Sequence, residues 1–237
     1  MILNKKLFKN PYTAYINGVN VLDFGAVVER YKVGGTPVSQ FYYQGRNRAS
    51  FTQLSRSLGM KPITLTLFLA APTQRELTMQ KSTIDAALLA DPLELHLPDG
   101  FYYRSLLQSA GELTMLGVEA NKMIAEVTYA LTGLQHNDLQ TVEGPEILAE
   151  GTYPGMPCVL TCTASQDYEE LQIGTVTLTD INDGDEITAD GINGLITIND
   201  EPAGTKATFT RLPYLLPGVQ TITCPEPVTV AYYPTWI

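Results

Sequence analysis

The residue types that carry most protein chemistry are few and scattered in this sequence. Its two histidines, His96 and His136, fit no His-Glu-x-x-His pattern and no other spacing that would place both on one metal ion. The sequence has no Gly-Lys pair, no Gly-x-Gly-x-x-Gly and no Gly-x-Ser-x-Gly, so it lacks the common phosphate-binding and nucleophile motifs. The acidic residues of the first half form no close pair beside a base. We therefore expect no enzymatic activity, no catalytic residue and no cofactor, and we interpret His96 as a surface residue.

The three cysteines are Cys158, Cys162 and Cys224. On a strand, Cys158 and Cys162 would share a face but lie roughly 13 Å apart, too far for a disulfide. Together with Leu160 they predict an apolar stripe that faces a core. An odd number of cysteines, without a visible signal peptide, favours folding in a reducing cytoplasm.

Residues 180–186 resemble a calcium-binding loop, but the spacing fails. In a loop that begins at Asp180, Gly184 takes the fifth position, where a ligand is needed, and Gly191 takes the twelfth, where Glu is needed. We predict an acidic turn and no metal site, with calcium at Asp180–Asp185 left open as the lesser alternative.

The acidic residues are concentrated in one part of the chain. The 237 residues carry a net charge of −10, which divides into +2 for residues 1–140 and −12 for residues 141–237. Such a step in charge predicts two separately folded units. The acidic part would repel nucleic acid, and most of its carboxylates are expected to lie on solvated turns.

A second charge pattern concerns the stretch between Glu29 and Glu76, which contains seven basic residues and no acidic one. Residues 44–59 have no clear period and are predicted to form a long loop. We expect Arg46, Arg48 and Arg56 in this loop to contact an acidic partner surface, because seven unbalanced cations would repel one another. DNA, which we rank lower as a partner, and a merely solvated basic loop are the alternatives.

The first half predicts an α+β domain. Residues 61–70 alternate sharply, with Ile63, Leu65, Leu67 and Leu69 on one face, which indicates a strand. Thr73 and Glu76 form a capping box at the start of a helix, and Asp91-Pro92 ends it. Short alternating runs before and after the helix predict a mostly antiparallel sheet.

Residues 136–157 are rich in Gly, Pro and polar residues, and we predict that they form a linker. After it come only short alternating runs, such as 158–164, 171–178 and 195–198, separated by turn signals. This spacing describes a small β-sandwich. The predicted domains are therefore residues 1–135, α+β, and residues 158–237, all-β.

The order of these elements resembles the distal tail protein family of bacteriophages with long, non-contractile tails (siphophages). The resemblance rests on the blocks at residues 21–27, 61–69, 91–104, 187–199, 215–222 and 228–234. In the fifth block Gln220 stands where the family usually has Asn. Each block is weak alone, but their order and spacing extend over nearly the whole chain.

This resemblance implies a tail-tube-like antiparallel β-sandwich with one helix, followed by a galectin-like β-sandwich. It implies a homohexameric ring at the distal end of the tail tube, which joins the tube protein to the tail-tip hub and the receptor-binding proteins. DNA would pass through the lumen, and the ring would belong to the virion after assembly in the host cytoplasm, with no membrane insertion.

Two other functions stay open at this point. One is a carbohydrate-binding module, and the other is a tail-tip depolymerase. A depolymerase would need clustered carboxylates, and no persuasive set occurs. The second half lacks histidine and has one arginine (Arg211) and one tryptophan (Trp236), so it lacks the His/Asn/Arg/Trp set of galectins. We expect little or no sugar affinity.

Overall fold

The computed structural model describes residues 13–44 and 52–237, and its chain divides into two compact units, Met1–Gln135 and His136–Ile237. The strands of the first unit are β1 (Tyr15–Ile16), β2 (Val19–Asn20), β3 (Ala26–Val33), β4 (Val38–Tyr43), β5 (Thr52–Leu58), β6 (Lys61–Ala71), β7 (Leu93–His96), β8 (Tyr102–Ala110), β9 (Thr114–Glu119) and β10 (Lys122–His136). A short 3₁₀ helix spans Val21–Phe24, and the α-helix α1 spans Gln74–Leu88.

The main sheet of the first unit has β6 near its centre. Its strands follow the order β2-β1-β7-β8-β10-β6-β3, and β9 also pairs with β10. The strand predicted at 61–70 is confirmed, because Ile63, Leu65, Leu67 and Leu69 are at most 1% exposed. They pack in one core with Leu77, Ile84 and Leu88 of helix α1, and β6 is paired antiparallel with both β3 and β10.

The opposite face of β6 mixes apolar residues with two threonines, Thr64 and Thr66, and part of it is covered. Thr66 is fully buried there. The Arg30 Nε donates to its hydroxyl at 3.3 Å, and the Thr66 and Thr128 hydroxyls are hydrogen-bonded at 3.1 Å. This face is therefore joined across β3, β6 and β10 by side-chain hydrogen bonds as well as by the backbone.

Helix α1 begins at the predicted capping box. The Thr73 hydroxyl accepts from the backbone N–H of Glu76, and the Thr73 N–H donates to Glu76 Oε2, both at 3.2 Å. These bonds satisfy two backbone groups that a helix start leaves unpaired. Leu77, Ile84 and Leu88 are buried along one face, which packs the helix onto the sheet.

The second unit is entirely β-structure apart from its turns. Its strands are β11 (Gln140–Glu143), β12 (Glu146–Ala149), β13 (Met156–Thr163), β14 (Tyr168–Ile173), β15 (Val176–Ile181), β16 (Glu186–Asp190), β17 (Leu195–Ile198), β18 (Glu201–Pro202), β19 (Ala207–Phe209), β20 (Tyr214–Leu215), β21 (Gly218–Thr221), β22 (Thr229–Tyr232) and β23 (Thr235–Trp236). The predicted fold class, an α+β unit followed by an all-β unit, is thus confirmed.

The sheets of this unit enclose their own core. The largest follows the order β11-β22-β13-β16-β17-β18, with β20 also on β13, and smaller sheets are formed by β14-β15-β19 and β12-β21. The predicted apolar stripe on β13 is confirmed, because Cys158, Leu160 and Cys162 are 1%, 1% and 5% exposed. Leu171, Leu178 and Val230 pack in the same core.

The structure corrects two sequence predictions in this half. Residues 136–157, predicted as a linker, contain β11 and β12, which pair with β22 and β21. The run predicted as one strand at 171–178 is two strands, because Gly174, at a φ of 59°, turns the chain between β14 and β15. In both places the strands are short and separated by turn residues, so the sequence shows no clear alternation of apolar and polar residues that would define each strand. Across the described residues, no helix combines the length and apolarity needed to span a membrane.

Candidate protein-interaction surface

The first unit contains a two-stranded ladder that stands apart from its main sheet. β4 and β5 pair antiparallel, with Val38 opposite Leu58, Gln40 opposite Arg56 and a bulge after Phe41. Within the parts of the chain that the structure describes, neither strand pairs with a third one. We name Val38–Tyr43 together with Thr52–Leu58 the arm.

The arm is inserted between two strands that are direct neighbours, β3 and β6. At its base the Gly34 N–H donates to the Pro62 carbonyl and the Gly59 N–H donates to the Pro37 carbonyl, both at 2.8 Å. A Cβ on Gly34 would lie 2.7 Å from Pro62 Cγ, so only glycine allows this approach of the two chain segments. The base is therefore closely fixed.

The arm itself has no buried face. Every residue of the two strands is exposed except the half-buried Leu58. Its large apolar side chains are strongly exposed: Phe41 67%, Tyr42 61%, Tyr43 64% and Leu54 68%. Because an isolated two-stranded ladder is marginally stable in water and exposed apolar groups of this kind mark interaction sites, the arm is a candidate for contact with a partner.

Part of this arm was predicted to be loop. Residues 44–59 were expected to lack regular structure, yet Thr52–Leu58 is a strand. The reason is that a strand with solvent on both faces has no hydrophobic alternation, which is the signal that sequence reasoning uses. The apolar run at Phe41, Tyr42 and Tyr43 could have signalled an exposed interaction strand, because aromatic residues favour strands.

The structure describes one of the three predicted site residues. Arg56 lies on the arm, is exposed, and makes no ion pair with the described part of the chain. Arg46 and Arg48 fall outside the described residues. Whether these three arginines meet an acidic partner therefore stays a prediction.

The acid-free stretch is less unbalanced than its sequence suggests. The Arg30 guanidinium lies 3.3 Å from Glu126 Oε1, on the same sheet, and 3.4 Å from Glu29 Oε2. The Lys61 ammonium donates to Gln135 Oε1, and burial lowers the pKa of Lys61 although Asp99 opposes the shift. Of the seven cations, Arg30 is thus ion-paired and Lys61 is hydrogen-bonded to a neutral amide.

His96 was predicted to be a surface residue, but its half-buried ring is part of an aromatic stack. Its ring stacks on Tyr102 with centroids 4.5 Å apart and on Tyr15 with centroids 5.6 Å apart. The three side chains come from the neighbouring strands β1, β7 and β8, so pairing in the sheet aligns them. The stack is half-buried and joins three strands, a structural role that the sequence around His96 does not indicate.

The second unit has a cavity of about 270 Å³ between β13, β20, β21 and the turn before β15. Its lining includes Thr175, Tyr214, Gln220 and Thr221, which offer hydroxyl and amide groups beside an aromatic ring. The Arg211 guanidinium lies over the Tyr214 ring, 5.1 Å from its centroid, and so covers one face.

In the acidic turn at residues 180–186, the Asp185 carboxylate accepts hydrogen bonds from nearby amide groups. Asp185 Oδ2 accepts from the backbone N–H of Asn182, and its Oδ1 accepts from the Asn199 side chain, both at 2.8 Å. These bonds, the backbone one first, lower the pKa of Asp185. No group of three or more His, Cys, Asp or Glu side chains within residues 13–44 and 52–237 is arranged to hold a metal ion.

No protein-family model matches the sequence, and no curated protein matches it either. Solved structures do match. The SPP1 Dit protein, described as a paradigm of the hub adsorption apparatus in phages that infect Gram-positive bacteria, superposes with a TM-score of 0.74. The match has 11% identity and covers 96% of this chain and 100% of that one.

A chain of the phage p2 baseplate in its activated conformation gives a second match. It has a TM-score of 0.56 and 8% identity, over 94% of this chain and 98% of that one in the strontium form. The calcium form gives the same score and identity over 95% and 98%. At such identities the matches show a shared fold, and they confirm at that level the resemblance found in the sequence.

Proposed function

We propose that this chain is a structural protein of a bacteriophage tail tip, a distal tail protein that joins the tail tube to the hub or baseplate. The observation that carries the proposal is the likeness to the SPP1 Dit protein over 96% of this chain, which includes both units. A match confined to one β-rich unit would have little value, because such folds serve many functions. The same two units in the same order are a more specific feature.

We further propose that six copies form a closed ring, whose lumen lets DNA pass, and that the arm contributes to its contacts. The arm offers exposed apolar side chains on two strands that pair with no third strand among the described residues, which suits β-strand addition. In a cyclic oligomer each such element meets the same surface on the next subunit, so all of them are covered when the ring closes.

Charge favours placing the ring contacts in the first unit. Residues 141–237 carry a net charge of −12, whereas residues 1–140 carry +2. Packing six copies of the acidic part at subunit boundaries would bring like charges together. The acidic unit would instead face outward, toward the hub or the receptor-binding proteins, and the virion would be the site of action after assembly in the host cytoplasm.

The molar mass in solution and the shape of the particle test the proposal. Light scattering with negative-stain microscopy should give six times the chain mass and a ring with a central opening. The double variant Phe41→Ser with Leu54→Ser should reduce assembly, because both side chains are about two-thirds exposed on the arm. The matched control, Leu89→Ser with Leu148→Ser, removes side chains that are 71% and 66% exposed outside the arm and should still assemble. Wild-type chain that stays monomeric at every concentration would contradict the ring.

Carbohydrate binding by the second unit is the second candidate, because the cavity beside Tyr214 combines an aromatic ring with hydroxyl and amide groups. We favour the structural role. Arg211 covers one face of the Tyr214 ring, and no further arginine or histidine lies in residues 141–237 to replace the water lost by sugar hydroxyls.

A further inference from the structure

A second exposed apolar surface of the first unit lies on β9. All six residues of Thr114–Glu119 are exposed, and Met115, Leu116 and Val118 are 41%, 52% and 71% exposed. Among the described residues β9 pairs with β10 alone, so its other edge faces no strand of that part of the chain. We name Met115, Leu116 and Val118 the β9 corner.

The β9 corner continues the face of the sheet that carries the core. Val118 lies opposite Met123 on β10, and Met115 lies opposite Ala125. Residues directly opposite each other on paired strands share a face of the sheet. Ala125 belongs to the buried core of the first unit, and Met123 packs against that core. The core-bearing face therefore extends beyond its cover at this corner, and exposed apolar groups of this kind mark interaction sites.

The β9 corner and the arm carry charges of opposite sign. Residues 105–122 contain Glu112, Glu119 and Lys122, a net charge of −1, and both glutamates are exposed. Residues 38–58, which include both strands of the arm, contain three arginines and no acidic residue, a net charge of +3. Each surface thus combines apolar side chains with charge that attracts the other surface and repels a copy of itself.

The arm and the β9 corner lie toward opposite ends of β6. The arm leaves the sheet next to Lys61, which pairs with Gly133 of β10, whereas Ala71 at the other end of β6 pairs with Met123, the partner of Val118. The 11 residues of β6 span roughly 34 Å, and the six residues of β4 extend only about 20 Å. We therefore expect the two surfaces to meet between copies and not within one chain.

We propose that the arm of one copy docks on the β9 corner of the next copy. The exposed apolar side chains of the two surfaces cover each other, and a strand of the arm adds to the outer edge of β9. Because the two surfaces differ, the contact is head-to-tail and closes into a ring when the rotation between copies allows. The docking rests on the proposed function, since it supplies the surface that each arm meets in the ring.

Photocrosslinking of the full chain tests the contact directly. A chain with p-benzoylphenylalanine in place of Phe41 is mixed with isotope-labelled wild-type chain, assembled, irradiated and digested. We expect crosslinked peptides that join the probe to labelled residues 112–126. Assembly with crosslinks only elsewhere would overturn the docking and leave the proposed ring intact, whereas a chain that stays monomeric at every concentration would overturn both.

Substitutions at the corner give a second measurement. Leu116→Ser with Val118→Ser should raise the concentration needed for assembly about tenfold or more, because the apolar contact with the arm is lost. The matched control, Leu106→Ser with Leu89→Ser, removes side chains that are 53% and 71% exposed elsewhere in the first unit, and it should assemble like wild type. Equal effects of the two double variants would contradict the docking.

A charge exchange tests which two surfaces pair. Glu112→Arg with Glu119→Arg should weaken assembly, as should the reversal of Arg46, Arg48 and Arg56 to Glu, because each change places like charges across the contact. The chain that carries all five substitutions should assemble at a concentration close to that of wild type. If it assembles no better than the two parent variants, the arm does not meet the β9 corner.

Discussion

The hydroxyl of Tyr129 on β10 donates a 2.8 Å hydrogen bond to Asp85 Oδ1 on helix α1. The other carboxylate oxygen of Asp85 accepts from the Lys81 ammonium at 2.6 Å, one turn earlier on the helix. Tyr129 is fully buried, so this bond forms inside the interface between the helix and the sheet. It fixes the rotation and height of the helix, which apolar packing alone leaves less defined.

Tyr129→Phe should lower the free energy of unfolding by about 1–2 kcal/mol, because Asp85 loses a donor in a partly buried site. Urea denaturation followed by circular dichroism measures this change. Tyr15→Phe serves as the control, since the Tyr15 hydroxyl makes no hydrogen bond to the described residues and its loss should cost less than about 0.5 kcal/mol. Equal effects of the two variants would show that the Asp85 bond contributes nothing.

Stability should fall at alkaline pH. Burial, and then the hydrogen bonds to Asp85 and Asp99, raise the pKa of Tyr129 and Tyr103 well above the ordinary value. Above about pH 10 the unfolded chain loses these protons and the folded chain keeps them, so each tyrosine lowers stability by about 1.4 kcal/mol per pH unit. Below about pH 10 the two tyrosines are protonated in both states, and their full contribution to stability is present. Urea midpoints measured on either side of pH 10 test the slope, which Tyr103→Phe with Tyr129→Phe should flatten; an unchanged slope would contradict the assignment.

Gly34→Ala should destabilise the base of the arm. The added Cβ would lie 2.7 Å from Pro62 Cγ, and a proline ring cannot move aside without its backbone. We expect a loss of about 1–3 kcal/mol, the usual cost of overpacking. Gly35→Ala is the adjacent control, because a Cβ there meets nothing within 4 Å. Thermal melts of the two variants should differ clearly, and equal melting temperatures would mean that the base is not tightly packed.

Reversing the three predicted arginines, Arg46, Arg48 and Arg56, to Glu should weaken assembly or docking and leave the monomer folded. Exposed charge changes usually alter stability by less than about 0.5 kcal/mol each. The wild-type interaction should also weaken as salt rises, because salt screens charges near a surface. Sedimentation at low and high salt measures both effects.

A control variant for this charge reversal changes the same number of cations elsewhere in the first unit. It replaces Lys32, Arg75 and Arg104, which are exposed, by Glu. If both triple variants assemble alike, net charge alone matters and Arg46, Arg48 and Arg56 have no special role. If the variant that reverses these three arginines assembles and docks like wild type at all salt concentrations, they are merely solvated.

Millimolar monosaccharides and host wall fragments should leave the melting temperature of the chain unchanged. Arg211 covers one face of Tyr214, and a bound sugar would gain few hydrogen bonds for the water that its hydroxyls lose. A saturable rise in melting temperature would support the carbohydrate-binding candidate instead. Tyr214→Ala should then abolish that rise, which would locate the sugar in the cavity.

Elements with a strong local signal were predictable from the sequence. The alternation that ends at Leu69 and the capping box of Thr73 with Glu76 are each encoded within a few residues, so period and capping identify them directly. The apolar stripe of Cys158 and Cys162 was predictable for the same reason.

Features that depend on distant partners were not predictable. The ion pair between Arg30 and Glu126 joins residues far apart in sequence, and the stack of His96 needs the alignment of three strands. The strand at Thr52–Leu58 has no buried side to give it a period. Of the predicted site, Arg56 alone could be located, and the apolar side chains beside it were missed because exposure cannot be read from residue type.

The close meeting of the two ends of the arm has a consequence for how this chain can diversify. Gly34 bonds to Pro62 and Gly59 to Pro37, so the main sheet already closes beneath the insertion. The entropic cost of closing a loop rises only slowly with the length of the loop. The insertion that carries the arm can therefore lengthen, shorten or change its residues to suit a new partner. The register of β3 on β6 would be retained.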